Sequence, residues 1–147
     1  MATPIQLVID CADPGRLAAF WTDALGYRLE EPPDGAESWQ AYWAARGLPP
    51  EEVEDGYFSI VDPDGVRPRI WFQPVPEPKV VKNRLHLDLG VGGGRQVPLE
   101  TRRRRIDAEA ERLAAAGATR LRVLSGEAEG HYAVVMADPE GNEFCIN

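Results

Sequence analysis

Residues 138–147 spell DPEGNEFCIN, a tight turn followed by a run in which polar and apolar residues alternate. The turn has Asp138 at its first position, Pro139 at its second and Gly141 at its fourth, an order typical of a type I turn between two strands. The same signature, DPDG, occurs 76 residues earlier at 62–65. Two copies of one hairpin signature in a chain of 147 residues predict two similar halves.

The first half predicts a strand, a helix and three further strands. A β-rich run at 5–10 precedes a helix for which Asp13 is the N-cap, Pro14 the first residue and Gly26 the C-terminal stop. The apolar residues between Pro14 and Gly26 recur at helical spacing. The three strands that follow are expected at 27–30, 57–61 and 69–73.

The second half repeats this order. A strand at 84–89 precedes a Gly-rich loop and a helix at 100–116, whose buried stripe is expected to include Ala114 and which Gly117 ends. The remaining strands are expected at 119–124, 131–136 and 143–147. We therefore expect one domain over 1–147, built from a first module at 1–78 and a second at 79–147.

The first module carries an insertion at about 31–55. Ser38 is placed to cap a short helix in which Trp39, Tyr42 and Trp43 follow each other at helical spacing. Such a cluster is either a small hydrophobic core under a long loop or an aromatic wall over a binding pocket. The sequence leaves both interpretations open.

Composition limits the classes of function. Apolar residues make up 44 % of the chain, and the formal net charge of −8 disfavours binding to nucleic acid or to an anionic membrane. The basic run Arg102–Arg105 adjoins Asp107 and Glu109, a pattern typical of a solvated helix face. Because no secretory leader or membrane-spanning run is evident, we expect a cytoplasmic protein. Two cysteines, Cys11 and Cys145, are too few for a disulfide scaffold.

Side chains of a strand alternate between the two faces of its sheet. The apolar faces of the two leading strands, expected under the helices, carry Ile5, Leu7 and Ile9 and then Leu85, Leu87 and Leu89. The opposite faces carry polar, aromatic and sulfur-containing side chains, which are Gln6, Asp10, Trp71, Gln73, His86, Asp88, Glu143 and Cys145. His, Trp and Cys are unusual on a merely wet surface, so this pattern predicts a lined concavity. Cys11 falls on the apolar face, and we expect an inert buried thiol there.

The element order and three motifs together resemble the glyoxalase/bleomycin-resistance/extradiol-dioxygenase group, the vicinal oxygen chelate superfamily, and more narrowly the actinobacterial glyoxalase-like proteins. The motifs are Ala12-Asp13-Pro14 followed by Phe20-Trp21, Arg84-Leu85-His86-Leu87-Asp88, and the closing stretch at 138–145. The resemblance covers nearly the whole chain. It implies an α+β fold in which two βαβββ modules form a curved mixed sheet around a cup.

The resemblance also implies where a metal would be bound. Metalloenzymes of the superfamily hold a divalent cation with residues on the first and last strands of each module. Those positions fall on Gln6 and His86 for the first strands, on Cys145 for the last strand of the second module, and near Trp71 or Gln73 for its counterpart. Only His86 is a standard ligand at its expected place. The resemblance therefore implies a degenerate site in which we expect no metal.

A shifted metal site is the alternative. Glu143 shares the face of Cys145 one pleat earlier, so that His86 and Glu143 could form the ligand set together with Gln6 or Asp88. His86 and Glu143 are also the candidate catalytic residues, since a histidine beside acidic groups can act as an acid or a base near neutral pH.

Three functions stay open at this point. The first is small-molecule binding in a metal-free cup, as a binding protein or an enzyme of unassigned chemistry. Its expected ligand contacts are Gln6, Trp39, Trp43, Trp71, Gln73, Asp88 and Cys145. The second is a metal-dependent lyase or isomerase of glyoxalase type that uses His86 and Glu143. The third is a drug-sequestering protein like the bleomycin-resistance members. Exposed sheet edges favour a homodimer, although the sequence does not fix the assembly.

Overall fold

The computed structural model describes residues 2–49, 58–126 and 130–147. The chain divides into two compact units, Met1–Pro78 and Lys79–Asn147. In the first unit the elements are β1 (Leu7–Cys11), α1 (Pro14–Leu25), β2 (Arg28–Leu29), α2 (Trp39–Ala44), β3 (Phe58–Val61) and β4 (Ile70–Pro74), with a 3-10 turn at Pro33–Gly35 before α2. In the second they are β5 (Asp88–Leu89), α3 (Leu99–Ala115), β6 (Thr119–Gly126), β7 (His131–Ala137) and β8 (Glu143–Ile146).

Each unit forms a four-stranded mixed sheet, and the two sheets have the same connectivity. The strand orders are β1-β4-β3-β2 and β5-β8-β7-β6. In both, the first strand pairs in parallel with the last, and the other neighbours are antiparallel. The predicted repeat of two βαβββ modules, and with it the α+β fold class, is confirmed.

The two hairpin turns are built in the same way. The backbone N–H of Gly65 donates to the carbonyl of Asp62 at 3.0 Å, and that of Gly141 donates to the carbonyl of Asp138 at 2.9 Å. Both aspartates are buried, and their carboxylates accept backbone N–H groups from within the turn, among them those of residues 64 and 140. The repeated sequence signature thus corresponds to a repeated hydrogen-bond arrangement.

Helix α1 has the predicted ends. The Asp13 side chain accepts the N–H of Arg16, Pro14 is the first residue, and Gly26 ends the helix in the left-handed conformation that glycine adopts without strain. One face of α1 packs on β3 and β4. The core of the first unit includes Leu17, Ala18, Phe20, Trp21, Ile60, Ile70 and Phe72. Packing of large apolar side chains on the sheet is what stabilises the unit.

Helix α3 packs on β7 in the same way. The core of the second unit includes Ile106, Ala110, Leu113, Val134, Met136, Phe144 and Ile146. Ala114, expected on the buried stripe, is exposed because the stripe follows Ile106, Ala110 and Leu113 and leaves the next position outside it.

Both leading strands are shorter than predicted. The side chain of Ile5 is 67 % exposed and that of Leu85 is 87 % exposed, so neither belongs to the core. In the parallel registers, position 5 would pair with Pro68, which has no N–H to donate, and position 85 would pair with Asn142, which belongs to the turn. The partner strand therefore begins too late to extend the ladder, and β5 is only two residues long.

The arginine run on α3 is only partly the solvated face that was expected. Arg102 donates to the carbonyls of Val97 and Gly130, and Arg105 donates to that of Gly92. The reason is that loop carbonyls without a ladder partner need donors, and long arginine side chains on the adjacent helix supply them. No helix in the described ranges combines the length and the apolar character that a membrane crossing requires.

Candidate functional site

Three chemically different side chains meet in the second unit. Ligand-type atoms of His86, Asp88 and Cys145 all lie within 4.8 Å of one another. Asp88 and Cys145 are direct partners in the parallel ladder of β5 and β8. His86 lies two residues before Asp88, just ahead of β5, and its side chain comes close to that of Asp88. The pairing of β5 with β8 and the position of His86 just ahead of β5 bring the three together, on the shared face that the sequence predicted.

Asp88 is the shared partner of this cluster. Its Oδ1 lies 3.4 Å from Nε2 of His86, and its Oδ2 accepts a hydrogen bond from Nδ2 of Asn147 at 3.2 Å. Asn147 is itself held by its backbone, because its N–H donates to Leu89 and its carbonyl accepts from Gly92. The side chains of His86 and Asp88 are 46 % and 54 % exposed, which leaves the cluster accessible to a small molecule or ion.

The Cys145 thiol is protonated more firmly than an ordinary one. Burial raises its pKa, and the adjacent Asp88 carboxylate raises it further by repelling a thiolate and accepting the S–H. The positive charges of Arg122 and Lys82 partly offset these effects. The thiol is therefore not an activated nucleophile in the metal-free protein, because nucleophilic attack requires the thiolate.

Glu143 lies outside this cluster and has a different environment. Its Oε2 accepts the backbone N–H of Asn83 at 3.0 Å and lies 3.3 Å from Nζ of Lys79. The Asn83 hydrogen bond, with help from Lys79, lowers the pKa of Glu143 to about 2 against the opposing effect of burial. These contacts make Glu143 an anchor between the segment before β5 and β8, and its catalytic role stays a prediction.

Gln6 is likewise engaged within the first unit. Its Oε1 accepts a hydrogen bond from a terminal nitrogen of Arg69 at 2.8 Å. Arg69 also donates to both carboxylate oxygens of Glu30, with its Nε at 3.0 and 2.9 Å and its second terminal nitrogen at 2.5 Å from Oε2. The Gln6 amide oxygen, which was expected near a metal, therefore accepts a hydrogen bond from Arg69 instead. Arg69 at the same time forms a bidentate ion pair with Glu30.

The other candidates of the first unit lie on β4. Trp71 is paired with Val8 on β1 and with Ser59 on β3, on the sheet face opposite Ile70 and Phe72. Gln73 is paired with Asp10, and its backbone carbonyl accepts the S–H of the buried Cys11 at 3.6 Å.

The aromatic residues of the insertion form a cluster of their own. Ser38 caps α2 as predicted, by accepting the N–H of Ala41. The ring centroids of Trp39 and Tyr42 are 5.7 Å apart, and those of Tyr42 and Trp43 are 5.0 Å apart. Nε1 of Trp39 donates to the carbonyl of Glu30 at 3.2 Å. These contacts favour the interpretation as a small hydrophobic cluster.

Residues 50–55 of the predicted insertion, and Tyr57 of the strand expected at 57–61, lie outside the described residues.

A separate open depression of about 520 Å³ lies in the first unit, between β2 and the turn at 62–65. Its lining includes Arg28, Glu30 and Glu31 but none of the residues that the sequence predicted for a site. Glu30 and Asp62 in this lining are already committed to Arg69 and to backbone N–H groups. These two carboxylates of the depression are therefore less available to a ligand than the side chains of the cluster near β5 and β8.

Sequence reasoning missed two contributors to the cluster. Asn147 shares the face of Cys145 by strand alternation, so the pattern contained a signal for it. Arg122 gave no such signal. The sheet face on which it lies depends on an irregularity in β6 that the sequence pattern does not predict.

The donor set of the cluster is one that a transition metal accepts. An imidazole nitrogen, a carboxylate oxygen and a thiolate sulfur are all ligands of Zn²⁺ and its neighbours, and three protein ligands with an exposed side are typical of catalytic rather than structural sites. Metal binding would require the Cys145 proton to leave. His86, Asp88 and Cys145 therefore fit a divalent metal, and Asn147 would orient Asp88 from behind.

Comparison with known proteins agrees with the fold. Residues 6–147 match the sequence model of the glyoxalase-like domain. A search of curated protein sequences gave no match. A glyoxalase/bleomycin resistance protein/dioxygenase family enzyme from Burkholderia phytofirmans PsJN has a TM-score of 0.59 and 18 % identity, covering 97 % of this chain and 94 % of that chain.

Two further solved structures show the same fold. The fosfomycin resistance protein FosX from Listeria monocytogenes, solved as a variant with Mn(II) and 1S,2S-dihydroxypropylphosphonic acid, has a TM-score of 0.60 and 11 % identity, covering 100 % of this chain and 90 % of that chain. A superfamily member from Sphaerobacter thermophilus DSM 20745 has a TM-score of 0.58 and 16 % identity, covering 99 % and 96 %. With two βαβββ modules and a domain match from residue 6 to residue 147, this chain belongs to the glyoxalase-like domain family.

Proposed function

We propose that this chain is a metal-dependent member of its family, in which His86, Asp88 and Cys145 hold a divalent transition metal. The observation that carries the proposal is the convergence of one nitrogen, one oxygen and one sulfur donor within 4.8 Å of one another. When bound, such a metal supplies Lewis acidity to an oxygen-bearing small molecule. The complex of the Listeria protein with Mn(II) supports the idea that this fold accommodates a divalent cation.

The protein's own groups have distinct tasks in this proposal. His86 and Asp88, both about half exposed, face the incoming ligand, while Cys145 is more enclosed and anchors the site from β8. Asn147 holds Oδ2 of Asp88 so that Oδ1 stays directed at the cluster. The family resemblance favours a lyase or isomerase reaction on a small molecule, carried out inside the cell.

Metal content of the purified protein tests the proposal. Untagged protein prepared without chelator is analysed by elemental mass spectrometry, and thermal shifts are recorded in Zn²⁺, Co²⁺, Ni²⁺ and Mn²⁺. We expect stoichiometric metal in the wild type and its loss in His86→Ala, Asp88→Asn and Cys145→Ser, because three ligands leave little redundancy. His131→Ala, which removes the exposed histidine of β7, is the matched control and should retain the metal.

Glu143→Gln separates this ligand set from the one that includes Glu143. It should retain the metal, because Glu143 is held by Asn83 and Lys79. If Glu143→Gln lost the metal and Asp88→Asn retained it, the ligand set of His86, Asp88 and Cys145 would be wrong. The set built on His86 and Glu143 would then replace it. Absence of metal from the wild type, together with no thermal shift in any ion, would sink the metal proposal altogether.

A metal-free small-molecule site is the second candidate. It is favoured by the engagement of Gln6 with Arg69 and of Glu143 with Asn83, which leaves two of the residues expected near a metal already occupied. In that case His86 and Asp88 would contact the ligand directly, as an acid–base pair or as plain binding groups. The drug-sequestering function that the sequence left open also belongs to this candidate.

A further inference from the structure

A β-bulge in the second sheet places two neighbouring arginines on opposite faces. In β6, Arg120 is paired with Met136 and Arg122 with Val135, so that two residues of advance on β6 correspond to one on β7. Leu121 is the extra residue of this irregularity. In a regular strand Arg120 and Arg122 would share a face, but an inserted residue re-aims the side chain that follows it.

The contacts of Arg120 agree with this assignment. Its terminal nitrogen lies 3.2 Å from Oδ1 of Asp107 on α3, so Arg120 lies on the helix side of the sheet, as its partner Met136 does. Arg122 has the other orientation, and among the described residues no acidic side chain forms an ion pair with it. The bulge thus separates an arginine that pairs with Asp107 from one that has no ion-pair partner within the described part of the chain.

Arg122 lies in line with the cluster across the sheet. The registers give the row Arg122, Val135, Cys145 and Asp88, one residue from each of β6, β7, β8 and β5. Two strand spacings separate Arg122 from Cys145, about 10 Å between Cα atoms, and a long arginine side chain covers most of that distance.

We propose that the face of the second unit around His86, Asp88 and Cys145 binds a small oxyanion, a carboxylate or a phosphonate, and that Arg122 is the side chain that selects it. The chain as a whole carries a net charge of −8, so an anion would be repelled from most of its surface. Arg122 brings a positive charge to the sheet face that carries the cluster. A guanidinium group suits this task because its fork of N–H donors matches the geometry of an oxyanion.

This inference rests on the proposed location of the site but not on the metal. Arg122 lies on the face of the cluster whether or not a metal is bound. With a divalent metal bound to His86, Asp88 and the Cys145 thiolate, the charges of metal and ligands would cancel and the charge of Arg122 would remain. Because its guanidinium group is present in both states, an anionic ligand is expected in both.

A matched set of small probes tests the selectivity. Glycolate and 2-hydroxyethylphosphonate carry the two candidate anionic groups, and methyl glycolate is the neutral ester of the first. Binding is measured by isothermal titration calorimetry, with protein as purified and after chelation. We expect both anions to bind at least about tenfold more tightly than the ester, a difference of one charge-assisted contact, and their affinity to fall as salt is added.

Variants then assign the effect to Arg122. Arg122→Gln should weaken binding of the anions by about tenfold and leave the ester unaffected, whereas Arg122→Lys should retain part of the affinity. Arg120→Gln removes an equal charge from the same strand but from the other face, and should leave anion binding within about twofold of the wild type. The ratio between the carboxylate and the phosphonate shows which of the two the site prefers.

The outcomes separate this inference from the metal proposal. Equal binding of glycolate and methyl glycolate, equal effects of Arg122→Gln and Arg120→Gln, or no binding of any probe to the folded protein would each overturn it. Metal content of Arg122→Gln is measured in parallel and should equal that of the wild type, because Arg122 is not a ligand. A metal-free protein in which Arg122→Gln still weakens anion binding by about tenfold would leave this inference standing while the metal proposal fails.

Discussion

The carboxylate of Glu143 accepts the backbone N–H of Asn83 at 3.0 Å, and this bond fastens the segment before β5 to the first residue of β8. Lys79 adds an ion pair to the same oxygen. Replacing Glu143 by Gln keeps an acceptor for Asn83 but removes the charge. We expect Glu143→Gln to lower the free energy of unfolding by about 1 kcal/mol near neutral pH, measured by urea unfolding.

The same contact predicts a dependence on pH with a definite sign. The pKa of Glu143 is lowered from 4.5 to about 2, so its charged form stabilises the folded state above 4.5. That contribution is lost as the pH falls from 4.5 towards about 2. The difference in stability between the wild type and Glu143→Gln should therefore be complete near neutral pH and clearly smaller at about pH 3.

A control for the pH series is Glu111→Gln, which alters an exposed glutamate of α3. It should change stability little at either pH, because an exposed side chain of this kind contributes little. A gap between the wild type and Glu143→Gln that stayed constant over the whole range would mean that the charge of Glu143 does not stabilise the fold.

Arg69 should be important for the stability of the first unit. It joins three segments by donating to Glu30 beside β2 and to Gln6 before β1, while itself preceding β4. Arg69→Met leaves a partly buried carboxylate without its partner, so we expect a loss of about 1–2 kcal/mol and a fall in melting temperature of about 3–6 °C. Arg16→Met, an exposed change on α1, should shift melting by less than half as much. Equal shifts would show that the Arg69 network is not stabilising.

The repeat could be predicted from the sequence because its signals are local. An aspartate, a proline and a glycine at fixed spacing determine a turn by their own geometry, and the buried carboxylates of Asp62 and Asp138 show the turn formed twice. Strand alternation likewise predicted that His86, Asp88 and Cys145 would share a face.

What the sequence did not predict depends on partners distant in the chain. Leu85 has the pattern of a buried strand residue, but the parallel register places it opposite a turn. Glu143 shares the face of Cys145, but its carboxylate accepts a hydrogen bond from the backbone N–H of Asn83. The sequence around either residue does not predict that contact. The bulge at Leu121 could not be predicted for the same reason, because it depends on the pairing of β6 with β7. The orientation of Arg122, which follows from the bulge, could not be predicted either.

The two cysteines should differ sharply in reactivity. The Cys11 side chain lies in the core at 3 % exposure and its S–H donates to the carbonyl of Gln73, whereas Cys145 is partly exposed beside Asp88. We expect an aromatic disulfide reagent, used at mildly alkaline pH, to modify one thiol of the native protein slowly and the second only after unfolding. Cys145→Ser should abolish the native reaction, and Cys11→Ser should leave it unchanged.

The same reaction reports on metal binding without any assay of activity. If Cys145 is a ligand, added Zn²⁺ should slow its modification by at least about tenfold, because a metal-bound sulfur is a poor nucleophile and is covered by the ion. Asp88→Asn should remove most of that protection, while Glu143→Gln should retain it. A Cys145 thiol that reacts at the same rate with and without Zn²⁺, in a protein whose Cys11 stays protected, would show that the sulfur does not bind the metal and would reduce the ligand set to His86 and Asp88.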